Sequence, residues 1–358
     1  MNWYPIKLSA HERTYAFGAR LIPELLGKQG TSEGVVAETW EISDHGETTA
    51  TVLNGELTGR TLHDITMAYP DELVGQGWRG PHFPLLAKFL DASHMLPIHL
   101  HADDETAARV YGASNGKAEA WHIIWAGEGA SILAGIKPGV TREQMVAAWK
   151  AEDYDAVMPR FPILPGDTIY VPGCIIHSFG PDTLIYEIQQ TSDLGQHVMP
   201  TDVYGNRLSE EEWDAAIDRA MAELKTDYQP MPNPGIAFTL DTARMTYGAV
   251  CEHFAIERWS LSGPFTYEGY PRRCLLLSNV GAPVTLRYPG GEETIGRAES
   301  CIFPAALTEC ELVPGDGADP GDLIVSYVPD REDDVLKPLR AAGHRDEEIA
   351  KLGHVFPT

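Results

Sequence analysis

Three histidines and one glutamate in the first half of the chain have the residue types and spacing of a divalent-metal site. His99 and His101 lie two residues apart in LPIHLHADD and alternate with apolar residues, which places both imidazoles on one face of a strand. Glu119 opens a later apolar segment, and His177 follows GDTIYVPGCII. Imidazole and carboxylate donors suit Zn²⁺ and also Mn²⁺, Fe²⁺, Co²⁺ or Ni²⁺. The pattern therefore predicts a metal centre with these four residues as its ligands.

The order and spacing of these residues resemble the metal-binding pattern of the cupins. That pattern places H-x-H on one strand and a glutamate shortly afterwards, and its last histidine ends a G-x5-P-x4-H segment, which Gly166, Pro172 and His177 match. A barrel can aim side chains from separate strands at one interior point. We therefore expect a mainly β fold of two cupin (jelly-roll) barrels with a small helical segment.

Helix caps and turn signals outline the elements that must position these residues. The dipeptide Asn54-Gly55, after the strand-like segment TATVL, predicts a tight hairpin. Capping-box pairs predict two helices, over 141–152 with Thr141 and Gln144 and over 209–225 with Ser209 and Glu212.

The proline-rich stretch YQPMPNPG at 228–235 is the best candidate for a linker between two halves. The second half has no H-x-H pair, so its barrel is expected to be structural. The predicted division is a metal-binding catalytic cupin over 1–205, a helical connector over 206–232, a metal-free cupin over 233–330 and a charged tail over 331–358.

The composition narrows the classes of partner. The chain has 27 Lys+Arg against 52 Asp+Glu, a formal charge of −25, so nucleic acid is a poor candidate. The 5 cysteines are widely spaced and never form C-x-x-C, which favours a reducing compartment. No apolar run has the length of a signal peptide or a membrane span. We expect a cytoplasmic protein with no membrane partner, and the oligomeric state is left open.

Over most of its length the sequence resembles the type I mannose-6-phosphate isomerases, which are two-cupin zinc enzymes that interconvert an aldose phosphate and its ketose. Seven motifs follow the order and wording of that family: AETWEIS (37–43), VLNGELTG (52–59), FPLLAKFLDA (83–92), LPIHLHADDETA (96–107), NGKAEAWHIIWA (115–126), LPGDTIYVPGCIIHSFG (164–180) and YEIQQTSD (186–193).

The resemblance implies roles for individual residues. His101, Glu119 and His177 match the family's zinc ligands, and His99 stands where the family usually has glutamine. Lys88 and Lys117 match active-site lysines that point toward the substrate. Three further residues belong to the N-terminal signature, with a structural role equally open for each: Glu38, Trp40 and Glu41.

The chain departs from the family after QQTSD. An arginine that serves catalysis or grips the substrate is expected there, but this chain reads LGQHVMPTDVYGNR and has His197 at that position. An imidazole cannot replace the permanent, forked charge of a guanidinium. Arg207 is a candidate replacement from nearby, and an altered sugar substrate or metal preference is the expected consequence.

The resemblance implies a metal-dependent aldose–ketose isomerase that interconverts mannose 6-phosphate and fructose 6-phosphate, or a closely related sugar, through an enediol. Its partner would be a small sugar or sugar phosphate, and its cofactor Zn²⁺. Lys117 or a metal-bound water would move the proton, while Lys88 would bind a sugar oxygen or phosphate. Two alternatives stay open, a cupin dioxygenase and a sugar-binding or regulatory cupin without turnover.

Overall fold

The computed structural model describes residues 2–269, 271–315 and 320–357. The strands of the first half are β1 (Ile6–Lys7), β2 (His11–Arg13), β3 (Glu38–Ile42), β4 (Leu85–Ala92), β5 (His99–His101), β6 (Glu119–Ala126), β7 (Ser131–Ala134), β8 (Arg160–Pro162), β9 (Thr168–Val171), β10 (His177–Phe179), β11 (Thr183–Gln190) and β12 (Gly195–His197). Those of the second half are β13 (Ile236–Leu240), β14 (Ala243–Val250), β15 (Ala255–Leu261), β16 (Phe265–Glu268), β17 (Leu275–Asn279), β18 (Val284–Tyr288), β19 (Gly291–Ile295), β20 (Ser300–Phe303), β21 (Glu309–Pro314) and β22 (Gly321–Tyr327).

The helices are short, and they contain fewer residues than the strands do. The α-helices are α1 (Leu62–Ala68), α2 (Pro70–Leu73), α3 (Asp104–Thr106), α4 (Arg142–Lys150), α5 (Glu210–Glu223), α6 (Lys337–Ala341) and α7 (Asp346–Ile349). Within the described residues, three π-helical turns cover Ile22–Leu26, Ala107–Tyr111 and Arg331–Leu336, and four 3₁₀ turns cover Gly46–Thr48, Gly55–Leu57, Tyr154–Ala156 and Ala350–Leu352. No helix in the described ranges combines the length and the apolar character needed to cross a membrane.

The strands form four sheets, and the strands named above pair antiparallel within them. The sheet orders are β2-β3-β4-β11-β6-β9, β12-β5-β10-β7-β8, β1-β20-β17-β22-β15-β14-β13 and β16-β21-β18-β19. The first two sheets face each other around a core that contains Trp121 and Phe179, and the last two enclose a core that contains Trp259 and Tyr327. A third core, with Tyr186 among its members, packs the outer face of the six-stranded sheet against the seven-stranded sheet. The mainly β, two-barrel cupin fold predicted from the sequence is confirmed.

The period-2 geometry of β5 explains how the sequence aims its histidines inward. Ile98 and Leu100 point outward and pack with Trp149 of α4 and Trp213 of α5. The intervening His99 and His101 therefore face the barrel interior, because successive side chains of a strand point to opposite faces. The two helices act as a cover for the outer face of this sheet.

Both capping-box predictions are confirmed, and the predicted chain reversal at Asn54-Gly55 is present with a wider loop than a two-residue turn. Reciprocal side-chain and backbone hydrogen bonds cap α4 at Thr141 and α5 at Ser209. Gly55 instead begins a 3₁₀ turn, and Asn54 accepts a hydrogen bond from the Lys7 backbone N–H at 3.0 Å. The two arms on either side of this turn are joined by hydrogen bonds from the Val52 N–H to Arg60 O and from the Gly59 N–H to Val52 O, both at 2.9 Å.

The chain ends both connect to the second half of the fold. In β1, Ile6 pairs with Ile302 of β20, although β2 follows within a few residues and joins a sheet of the first half. In the tail, Val335 and Leu352 are buried in the core of the second barrel. The domain boundaries given above stay a prediction.

Candidate metal centre

His99, His101, Glu119 and His177 converge inside the first barrel. One ligand atom from each lies within 4.8 Å of the others. His177 Nε2 is 3.0 Å from His99 Nε2 and 2.8 Å from Glu119 Oε1, and His101 Nε2 is 3.7 Å from Glu119 Oε2. His99 and His177 lie opposite each other on the paired strands β5 and β10, His101 lies on β5, and Glu119 comes from β6 of the facing sheet.

Backbone carbonyls fix the tautomer of all three imidazoles. A carbonyl oxygen only accepts, so each Nδ1 must carry a proton, and in the neutral ring Nε2 is the nitrogen with the lone pair. The bonds run from His99 Nδ1 to Pro97 O at 2.6 Å, from His101 Nδ1 to Leu194 O at 3.0 Å and from His177 Nδ1 to Ile175 O at 2.8 Å. Three lone pairs are thereby held toward one interior point before any ligand arrives.

The protonation states of the cluster suit a cation. Burial holds the pKa of His99 and of His101 well below the usual range, because the interior disfavours an imidazolium. Burial alone would raise the pKa of Glu119, but Lys117 and the neighbouring histidines more than offset it and hold that pKa well below its usual range. Neutral imidazoles and an ionised carboxylate are the forms that coordinate metals.

A buried network of lysines and carboxylates adjoins the cluster. Lys117 Nζ lies 2.9 Å from His101 Nε2 and 3.2 Å from Glu119 Oε2. Glu187 Oε1 is 3.3 Å from Lys88 Nζ and 3.5 Å from Lys117 Nζ, and Glu38 Oε2 is 3.4 Å from Lys88 Nζ. The charges are thus paired in the barrel interior, which a buried ion requires.

The pKa values of two groups in this network are raised, and the consequence differs between them. Burial would lower the pKa of Lys88, but Glu187 and Glu38 more than offset it and raise that pKa above its ordinary value. Lys88 is therefore a permanent cation near neutral pH. Burial raises the pKa of Glu187 to about 7 even though both lysines oppose the shift.

A cavity of about 220 Å³ opens beside the cluster. Its polar lining consists of Glu38, Lys88, His99, His101, Lys117, Asp193, Gln196 and His197, and Tyr15, Phe17 and Trp40 contribute aromatic walls. The barrel thus presents cations, neutral imidazoles and carboxylates around one space, an arrangement that can bind and polarise a small polar molecule.

His197 faces the same space as the metal cluster. It pairs with His99 across β12 and β5, and residues opposite each other in a sheet share a face. Its Nε2 is buried and has no hydrogen-bond partner among the described residues. Burial, with a smaller contribution from the charge of Arg219, lowers the pKa of His197, so the cavity wall carries a neutral ring here.

The structure does not bring Arg207 to the cavity. Its side chain is 64% exposed, and its charged neighbour is Glu152 at 3.9 Å. Arg219 of α5 lies nearer, since its Nε donates to Oε1 of the cavity residue Gln196 at 3.1 Å. The sequence analysis missed Arg219 because an arginine on the exposed face of an amphipathic helix carries no pattern that sets it apart.

Comparison with known proteins identifies the relatives of this fold and site. Residues 6–150 match the family model described as "Phosphomannose isomerase type I, catalytic domain". The mannose-6-phosphate isomerase of Streptococcus mutans is 30% identical over 266 residues, which cover 72% of this chain and 79% of that protein. The chain belongs to the type I phosphomannose isomerase family.

Solved structures of mannose 6-phosphate isomerases share the fold of this family member, which is an isomerase. The enzyme from Bacillus subtilis superposes with a TM-score of 0.79 at 25% identity, over 90% of this chain and 99% of that one. A mannose 6-phosphate isomerase bound with zinc and yttrium superposes with a TM-score of 0.67 at 14% identity, over 90% of this chain and 99% of that one.

The signature residues of the isomerase divide between two faces of β3. Glu38 and Trp40 line the cavity, where the Trp40 indole N–H donates to Glu38 Oε2 at 2.7 Å. Glu41 points elsewhere and accepts a hydrogen bond from Lys28 Nζ at 2.8 Å. Cys174 also faces away from the cluster, because its Sγ accepts from the Asp103 N–H at 3.4 Å.

Gly173 precedes His177 in the chain and lies against Asp103, in the loop that follows His101. A Cβ at this position would lie 2.6 Å from Asp103 Cα and 2.7 Å from Asp103 N. We expect Gly173→Ala to lower the free energy of unfolding by about 1–3 kcal/mol, as overpacking does, and to weaken metal binding by displacing the segment after His101. Urea unfolding and metal titration measure both effects. Gly34→Ala is the matched control, since a Cβ there meets nothing within 4 Å; equal behaviour of the two variants would contradict the prediction.

Proposed function

We propose that this isomerase interconverts mannose 6-phosphate and fructose 6-phosphate at a divalent metal centre held by His99, His101, Glu119 and His177. The observation that carries the proposal is the 3.0 Å separation of His99 Nε2 and His177 Nε2. Each Nδ1 donates to a carbonyl, so in two neutral rings both Nε2 atoms bear lone pairs, and a proton or a metal cation between them removes their repulsion. A carboxylate beside them supplies compensating negative charge.

Zinc is the metal that we propose. Three imidazoles and one carboxylate form a nitrogen-rich donor set of the kind that binds Zn²⁺, although Mn²⁺, Fe²⁺, Co²⁺ and Ni²⁺ accept the same donors. The zinc-bound isomerase of the same fold supports this choice. Backbone hydrogen bonds to every Nδ1 would favour binding by keeping the ligands in place.

The reaction proposed is proton transfer between C1 and C2 of an open-chain sugar through an enediol. A bound divalent cation would supply a Lewis acid for the negative charge that develops on the sugar oxygens. Lys88, a permanent cation between Glu38 and Glu187, would hold a sugar oxygen or the phosphate by a charge-assisted hydrogen bond. Lys117, beside the cluster, is the residue that we propose to move the proton. The enclosed barrel would limit access of water to the enediol.

Metal content and turnover measured on the same protein test this proposal. We expect about one divalent ion per chain, turnover of mannose 6-phosphate, loss of that turnover after chelation and recovery with Zn²⁺. Elemental analysis and a coupled fructose 6-phosphate assay measure these quantities. Stoichiometric metal without turnover of either phosphosugar would contradict the proposed reaction and favour a sugar-binding role.

His197 is proposed to tune the choice of sugar. A guanidinium in its place would add a permanent charge to the cavity wall, so we expect His197→Arg to lower the KM for mannose 6-phosphate by about 10-fold, the scale of one hydrogen bond to a charged group. Steady-state kinetics on mannose 6-phosphate and on free mannose measure the change. His197→Lys and His197→Gln separate charge from shape. An equal gain with Gln, or no gain with Arg, would count against a substrate-specificity role.

A further inference from the structure

A second cavity, of about 370 Å³, lies behind the strand that carries Glu119. One wall is the turn over residues 164–168 with His122 of β6, and the other is the outward face of β14 and β15. It is separate from the metal centre, since His122 points to the face of β6 opposite to that of Glu119 and Trp121. None of the roles proposed above uses this space.

The register of β14 and β15 places two arginines on the wall of this cavity. Arg244 is opposite Ser260 and Thr246 is opposite Arg258, so all four side chains project from one face of the sheet. The two arginines occupy diagonal positions, where backbone positions are about 7–8 Å apart. Guanidinium groups at that spacing can contact one small anion from two sides.

The two arginines of this wall differ in their carboxylate partners. Arg258 forms a two-armed ion pair with Asp322, in which Nε donates to Oδ1 at 2.8 Å and Nη2 donates to Oδ2, and its Nη1 remains available to a ligand. No carboxylate of the described residues pairs with Arg244. Asp167 lines the cavity and accepts a hydrogen bond from the Leu164 N–H at 2.8 Å. The carboxylate of Glu257 belongs to the interior of the second barrel, where it accepts from the Trp259 indole N–H at 2.7 Å.

The cavity wall opposite the two arginines also carries polar side chains, His122 and Thr168. His122 Nδ1 lies 3.0 Å from Thr168 Oγ1, and its Nε2 has no partner among the described side chains. Burial, together with the charge of Arg258, lowers the pKa of His122 to about 4, so the ring is neutral. The Arg258 guanidinium reaches across the cavity, because its Nη1 is 3.9 Å from where a Cβ of Gly166 would lie.

The geometry points to a binding site for a small phosphorylated anion, held by Arg244 and Arg258 with hydroxyls of Thr246 and Ser260. Arginine forks match phosphate oxygens, and hydroxyls complete the hydrogen bonds of such a group. The rest of the chain carries a large negative charge and repels anions, so binding depends on this local pair of cations.

Inorganic phosphate is the probe for this site. We expect isothermal titration calorimetry of the metal-loaded protein to detect phosphate binding that weakens at least 10-fold in Arg244→Gln and is partly retained in Arg244→Lys. Arg287→Gln is the matched control, since it removes the same charge from an exposed strand of the second half. Turnover of mannose 6-phosphate without added phosphate should be equal in all four proteins, which separates this test from that of the proposed function.

Three results would overturn the inference. Phosphate affinity that is the same in wild type and Arg244→Gln would place any bound phosphate elsewhere, including the metal-centre cavity. Absence of detectable binding at millimolar phosphate would remove the site altogether. Succinate, titrated in parallel, distinguishes the ligand class: binding of succinate but not phosphate would contradict the assignment to a phosphorylated anion.

Discussion

His101→Ala should remove bound metal and lower turnover of mannose 6-phosphate by about 10³-fold or more. A metal acting as a Lewis acid contributes several kcal/mol of transition-state stabilisation, and each 1.36 kcal/mol is a factor of ten in rate. His101 holds a lone pair toward the cluster through its bond to Leu194 O, and alanine supplies no donor in its place. Metal analysis and single-turnover assays on the purified variant measure both losses.

A second variant and a control separate ligation from packing. Glu119→Gln keeps the size of the side chain and removes its charge, so it should also lose metal while retaining a similar unfolding midpoint. His122→Ala removes a buried histidine from the same strand as Glu119 but on the other face, and it should retain one metal ion. Stoichiometric metal in both His101→Ala and Glu119→Gln would show that the ligands lie elsewhere.

Lys88→Met is expected to cause the second large loss, in stability as well as in activity. The substitution leaves Glu38 and Glu187 buried without the cation that both contact, and breaking a buried ion pair costs about 3–5 kcal/mol. Loss of a hydrogen bond from a cation to the substrate should lower kcat/KM by a further factor of about 10–150, equivalent to 1.5–3 kcal/mol. Urea unfolding and steady-state kinetics measure the two effects.

The double variant Lys88→Met/Glu187→Gln distinguishes these effects. Removing the Glu187 charge should restore much of the stability, because one of the carboxylates left unpaired is gone, but it should not restore turnover. In metal-free Lys88→Met, the loss of unfolding free energy relative to wild type should be greater at pH 8 than at pH 5. The folded pKa of Glu187 is already about 7 and loss of Lys88 raises it, so the protonated form stabilises the fold at low pH and this contribution disappears as the pH rises. Equal destabilisation at both pH values would contradict this account.

The sequence allowed the four cluster residues to be predicted because local patterns encode their positions. Alternation around His99 and His101 sets their direction, and the spacing from Gly166 to His177 fits the family pattern. The structure brings these side chains to one point, while their role as ligands remains a proposal. The capping boxes were predictable for the same reason, since each depends on residues three apart.

Residues positioned by long-range pairing could not be predicted in this way. Glu187 lies in the apolar-looking strand TLIYEIQQ, and only its pairing with Lys88 across β11 and β4 reveals a buried charge network. Arg207 seemed close to the site by sequence distance, but the chain after β12 turns it toward Glu152. The width of the loop at Asn54 could not be predicted, since the Asn54 side chain binds a segment 47 residues earlier.

The pairing of β1 with β20 has a consequence for the order in which the molecule is assembled. Ile6 leaves the ribosome almost 300 residues before its partner Ile302. At a synthesis rate of about 5–20 residues per second, the backbone groups of β1 remain unpaired for roughly 15–60 s. An unpaired edge is prone to join strands of other chains, so crowding on a polysome would be most hazardous at this stage. A nascent chain arrested before β20 should therefore aggregate more readily, and its β1 segment should be cleaved faster by protease, than a chain in which β20 has been synthesised.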